Sequence, residues 1–141
     1  MAAPFSTFRN NRSRTRRSFT LQEANRSLPL VARIVRDIVN THERATQLQA
    51  RLDESPIIKE AAAIKIQLDE TVTRLQNYVD ELTRIGVALK DYGSGLIDFP
   101  GRHKGRDVYL CWMLGEKSVS YWHELHTGYG GRQPISTLQE D

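Results

Sequence analysis

A single cysteine, Cys111, stands in the 141 residues, so no disulfide can form within the chain. A lone thiol suits a reducing compartment, and the expected location is the cytoplasm. No apolar run approaches the roughly 18–20 residues that span a bilayer, so no membrane partner is expected. The arginine-rich beginning lacks the 7–15-residue apolar core of a secretory signal. Neither Gly-x-x-x-x-Gly-Lys-[Ser/Thr] nor Gly-x-Gly-x-x-Gly occurs, so the chain carries no phosphate-binding fingerprint. Hydrophobic residues make up 39% and mean hydropathy is −0.51. Such a chain builds a thin, extended core more readily than a large globule.

Glycine is missing from the first 85 residues and tryptophan from the first 111. All nine glycines, both tryptophans, the cysteine and three of the four histidines lie between Gly86 and Gly131. Residues that demand special backbone or side-chain chemistry are therefore confined to one head, carried by a stalk of ordinary helix formers.

The net charge of +3 is unevenly placed. Residues 1–18 hold Arg9, Arg12, Arg14, Arg16 and Arg17 and no acid, while the remaining chain holds 15 basic and 17 acidic side chains. The basic character belongs to a tail, read as a disordered leader. Its alternative use is salt-sensitive, sequence-blind binding of RNA or DNA phosphates.

From Phe19 the pattern turns helical. Thr20 and Glu23 have capping-box spacing, with Phe19 at the staple position. Apolar residues recur at Ala24, Leu28, Val31, Val35, Ile38, His42, Ala45, Gln49 and Leu52, with His42 and Gln49 interrupting the seam. Pro29 predicts a kink or a later true start. Ser55-Pro56 reads as the cap and first turn of a second helix. Its seam is Ala61, Ile64, Leu68, Thr71, Leu75, Tyr78, Leu82 and Ile85, closed by Gly86. Two helices of similar length with a short link predict an antiparallel, coiled-coil-like hairpin over residues 19–86. A bare hairpin has little core, so the head or a second copy should cover it, and a homo-oligomer, a dimer first, is expected.

Residues 87–135 read as a small antiparallel β head, and residues 136–141 as a C-terminal tail. Val87 to Lys90 lead into a loop. Leu96 to Phe99 and Val108 to Met113 form a hairpin around a turn at residues 100–105. Alternation puts Val108, Leu110 and Trp112 on one face and Tyr109, Cys111 and Met113 on the other, with Asp98 opposite Ile97 and Phe99. Residues 118–125 are a third strand, and residues 128–134 an irregular glycine-rich segment. The fold class is α+β.

Several motifs carry a resemblance. Phe19-Thr-Leu-Gln-Glu-Ala-Asn25 with Leu28-Pro29, Gly95-Leu-Ile-Asp-Phe-Pro100, Leu110-Cys-Trp112, Leu114-Gly-Glu116, Tyr121-Trp-His-Glu124 and Gly128-x-x-Gly-Arg-Gln-Pro134 resemble a bacterial family known as domain of unknown function 2203. The resemblance covers about residues 19–135. It implies a small soluble protein with helices first and the motif-rich head last, and it implies no particular activity.

Three functional readings follow from the residues. The first is a non-enzymatic interaction or scaffold module that self-associates through the hairpin. Its recognition surface, for an unknown protein partner, would use Trp112, Tyr121, Trp122, Tyr129 and Arg132, residue types favoured at binding hot spots; the same aromatics equally suit a small core. The second is a zinc or iron site around His123, with Glu124, Asp98, Cys111 and His126 as further ligands. His123-Glu-Leu-His126 is not His-Glu-x-x-His, so a zincin-type protease is unsupported. The third is nucleic-acid association through the tail. Acid–base catalysis by Asp98, Glu124 and His123 has no accompanying nucleophile or cofactor loop. Asp98, flanked by Ile97 and Phe99, needs a partner if buried, and Arg132 is the expected one. His42 is read as a polar side chain at the seam's edge.

Overall fold

The computed structural model describes residues 18–140. The five arginines of the tail lie outside them. Helix α1 (Leu21–Glu54) and helix α2 (Ile58–Ile85) form a hairpin. At 1.5 Å per residue they are about 50 and 40 Å long. Thr20 Oγ1 accepts the Glu23 N–H at 3.0 Å and Glu23 Oε1 accepts the Thr20 N–H at 3.0 Å, completing the expected capping box. Phe19 is buried, with its ring edge-on to Phe99 at 5.2 Å, so the cap also ties the helix start to the head.

The helix does not restart at Pro29; it runs through it. The proline removes one intrahelical bond. Leu28 and Val31, buried on either side of it, hold the turn against the sheet. A second correction concerns Ser55, which closes α1 by donating its N–H to the Leu52 carbonyl at 3.3 Å. Pro56 disfavours helical geometry at the residue before it, and Ser55 is indeed extended, at φ −82° and ψ 118°. The second helix starts only at Ile58, without a side-chain cap. It ends as expected at Gly86, whose φ of +101° requires glycine. The first seam shifts by one residue, with Leu48 buried and Gln49 exposed and bonded to Asp53.

The head is a five-stranded antiparallel meander in the order β1 (Ala88–Asp91), β2 (Leu96–His103), β3 (Arg106–Met113), β4 (Tyr121–Glu124) and β5 (Gln133–Pro134). Three strands were expected. Ala88–Asp91, expected only to lead into a loop, pairs with β2 instead, and Gln133–Pro134 pairs with β4. The turn between β2 and β3 is also tighter than expected. Residues 100–103 are strand, and only Lys104 and Gly105, at φ 50° and 80°, make the turn. Gly101 serves the strand: a Cβ there would stand 2.9 Å from Leu110 Cγ.

One face of the sheet presents Ile97, Phe99, Val108, Leu110, Trp112 and Trp122 to Ala24, Leu28, Val31, Val35 and Ile38 of α1, and this is the main core. Gly95 lets the sheet approach the helix, because a Cβ there would lie 2.9 Å from Val35 Cγ1. The contact ends where His42 meets Tyr92, ring centroids 5.1 Å apart. Beyond it the hairpin has its own small core of Ala45, Leu48, Ile64 and Leu68, with Leu52 packed on it. The chain end returns over the head. Trp122 Nε1 donates to Thr137 Oγ1, and the Gln139 N–H donates to His103 Nδ1 at 3.0 Å. No helix among the described residues is long and apolar enough to cross a membrane.

Candidate metal centre

The sheet's other face carries the chemistry. The register places Asp98 opposite Cys111 on β2 and β3, and Tyr109 opposite His123 on β3 and β4. Alternation then points Asp98, Cys111 and His123 to one side, away from the helices. Their relative exposures are 2%, 0% and 2%. One ligand-type atom from each lies within 4.8 Å of the other two.

His123 is held at both ring nitrogens. Nδ1 lies 2.7 Å from the carbonyl oxygen of Glu124 and Nε2 lies 3.0 Å from Asp98 Oδ1. A carbonyl only accepts, so Nδ1 carries a proton and Nε2 is the nitrogen turned to the carboxylate. The Tyr109 ring packs on the imidazole at 5.5 Å. Burial, then the nearby Asp98 carboxylate, pushes the Cys111 thiol up to about 12. That thiol is no activated nucleophile. Nor is the histidine placed as its base, since neither ring nitrogen is turned to the sulfur.

A metal fits this donor set. Imidazole, thiolate and carboxylate are all zinc ligands, and a tetrahedral set with bonds of about 2.0–2.3 Å has neighbouring donors about 3.4–3.6 Å apart. A divalent ion with one carboxylate and one thiolate is neutral overall, as burial requires. Nδ1–H on a backbone carbonyl is also how metal-bound histidines are commonly oriented.

The other expected ligands lie elsewhere. Glu124 points to the helix side, where Arg106 donates to both its carboxylate oxygens, through Nε at 3.1 Å and through Nη2. That hydrogen bond holds the Glu124 carboxyl below the usual range. His126 is exposed in the turn after β4 and takes no part in the cluster.

Arg132 does not pair with Asp98. It forms a two-nitrogen fork on Glu116, at 3.0 and 2.8 Å, and reaches the Cys111 carbonyl at 3.4 Å. Asp98 has His123 instead, because strand pairing sets them on one face, whereas Glu116 in the β3–β4 connection lies under the segment bearing Arg132. Tyr121 and Tyr129 flank the guanidinium at 4.1 and 4.7 Å. The aromatic set thus divides. Trp112 and Trp122 are core at 2% exposure, while Tyr121 and Tyr129 are 36% and 49% exposed. Two anchors escaped the sequence reading. Glu116 accepts the Met113 N–H at 2.8 Å as well as Arg132, and Asn25 Oδ1 accepts the Val119 N–H at 2.8 Å. Both positions stand in motifs that carry the family resemblance, which marks them without giving their roles.

No curated protein and no solved structure matches the chain. Residues 17–135 match the family described as "Uncharacterized conserved protein (DUF2203)". With the match spanning both helices and the whole sheet, the chain belongs to the family of domain of unknown function 2203.

Proposed function

We propose that this protein is a small divalent-metal-binding module, with Asp98, Cys111 and His123 as ligands and zinc as the ion the mixed donor set suits best. The observation that carries the reading is the convergence of three buried donors from three strands within 4.8 Å, with His123 Nε2 already turned inward. Bound there, the ion would fasten β2, β3 and β4 together, with the fourth tetrahedral position left to a water. The cytoplasm suits it, because a lone thiol stays reduced there. Elemental analysis of the full chain, purified under reducing conditions and dialysed against micromolar zinc, tests it. One equivalent per chain is expected, lost in Asp98→Asn and retained in His126→Ala. Wild-type protein that takes up no zinc, iron or cobalt overturns it.

A second reading is self-association of the stalk as a scaffold. Among the described residues no third layer covers the two helices beyond Tyr92, and a groove of about 580 Å³ opens along Leu52, Leu68 and Val72. Lys65 and Asp69 line the same groove with opposite charges. These two side chains pair with each other within the chain at 2.8 Å, so what a second copy would cover is the apolar lining of Leu52, Leu68 and Val72. Light scattering of wild type and Val72→Glu decides: a wild-type dimer that dissociates in the variant supports the reading, and a wild-type monomer overturns it.

A further inference from the structure

Arg132 Nε is the one buried side-chain nitrogen or oxygen left without a hydrogen-bond partner among the described residues. Orphaned donors of this kind are rare and call for a physical reason. Side-chain mobility is not the reason here. The Arg132 side chain is 10% exposed, its two terminal nitrogens are engaged by Glu116, and the rings of Tyr121 and Tyr129 flank its plane. Glu116 is itself pinned by the Met113 N–H. The guanidinium is thus fixed in position and orientation while its buried Nε–H goes unused.

The planar fork says where that N–H points. Nη2 and Nε–H share one edge of the guanidinium. Nη2 reaches the carbonyl oxygen of Cys111, so the Nε–H is directed along the same residue. That edge of Arg132 is thereby aimed at Cys111, whose neutral thiol is a poor acceptor for its spare proton.

We propose that Arg132 is a positioning residue of the metal centre, whose Nε–H donates to the Cys111 thiolate formed when the ion binds. The inference rests on the metal reading above. Metal binding expels the thiol proton and leaves a sulfur anion next to an oriented, unsatisfied donor. The ion gains affinity because its arrival satisfies Arg132, and the N–H withdraws electron density from the sulfur. Residues outside the ligands that act in this way are commonly worth about 10–100-fold in affinity. Glu116, Tyr121 and Tyr129 have a common purpose on this account, which is to hold the guanidinium edge-on to Cys111.

The test uses the full chain loaded with cobalt(II), whose thiolate-to-metal absorption reports the sulfur directly. Arg132→Lys keeps a cation for Glu116 and the two tyrosines but removes the Nε–H. Expected are one equivalent of cobalt in both proteins, the charge-transfer band of the variant displaced to lower energy, and affinity weaker by about 10–100-fold. An unmoved band and equal affinity would overturn the proposal. Should the variant fail to fold, wild type alone decides. In ¹⁵Nε-arginine NMR, the Arg132 Nε–H should move downfield and gain protection from exchange on zinc loading, and a signal that stays in place overturns the proposal. Wild type that binds neither metal removes this inference together with the metal reading. Uptake with an unmoved Nε–H removes this inference alone.

Discussion

Nε2 of His123 lies 3.0 Å from Oδ1 of Asp98, though 25 residues and a whole strand separate them. The imidazole reaches across β3 to a carboxylate on β2, and both side chains are almost completely buried. The pair is held from the far side by the Glu124 carbonyl on Nδ1. A buried carboxylate is tolerated only with such partners.

Removing one member of this pair should cost far more than its contact area suggests. His123→Ala leaves Asp98 buried without its ring partner, and breaking a buried pair in that way typically costs about 3–5 kcal/mol. Urea denaturation of the metal-free proteins measures it. With zinc at about 100 times its dissociation constant, wild type should gain about 2.7 kcal/mol, and Asp98→Asn should gain almost none. A loss within about 0.5 kcal/mol for His123→Ala would show that the pair bears no structural load.

Cys111 should be inert in the folded protein. Burial, reinforced by Asp98, raises its thiol from the ordinary 9.0 to about 12. The folded state therefore keeps the thiol proton where the unfolded chain loses it. This contribution is fully present below the unfolded value and is lost as pH rises through the folded one, so stability should fall between pH 9 and 12. A colorimetric thiol reagent at pH 8 should react only after urea unfolding. Rapid labelling of native protein would contradict the burial.

Gly95 and Gly130 should respond unequally to alanine. At Gly95 φ is +73°, and a Cβ would stand 2.8 Å from Leu114 Cβ and 2.9 Å from Val35 Cγ1. Either the sheet or the helix must shift, with a loss of about 1–3 kcal/mol. Gly130 has nothing within 4 Å and no positive φ, so Gly130→Ala should stay within about 0.5 kcal/mol. Paired thermal melts compare them. Equal effects would mean that the close approach of sheet to α1 is not rigid in solution.

The Arg106–Glu124 pair offers a test of the head's outer edge. The hydrogen bond from Arg106 holds the Glu124 carboxyl below its ordinary value. Its contribution is present above the ordinary glutamate range and disappears as pH falls through the lowered value. Side-chain carbon NMR should show the Glu124 midpoint moving upward in Arg106→Gln. An unchanged midpoint would show that the pair is not populated.

Much of this architecture was written locally. The capping box at Thr20 and Glu23, the seam of α2 and the terminating Gly86 involve residues a few positions apart, where backbone sterics and helical period decide the outcome. Strand alternation likewise set Asp98 apart from Ile97 and Phe99, and put Cys111 on the face away from Trp112. Ser55-Pro56 ends α1 rather than opening α2, and its sequence is ambiguous because both a C-terminal stop and an N-terminal start favour such residues. Residues 88–91 have no alternating pattern, and only the open edge of β2 makes them a strand.

By itself, then, the sequence determined an α+β protein of two long helices and a glycine-rich head, with Asp98, Cys111 and His123 among the candidate ligands. The tertiary structure decided that these three meet while Glu124 and His126 do not, that His123 rather than Arg132 partners Asp98, and that both tryptophans are core. The reason is physical. Helix caps and strand alternation depend on neighbours along the chain, whereas register between strands and the pairing of buried charges depend on the packing of the whole sheet against α1.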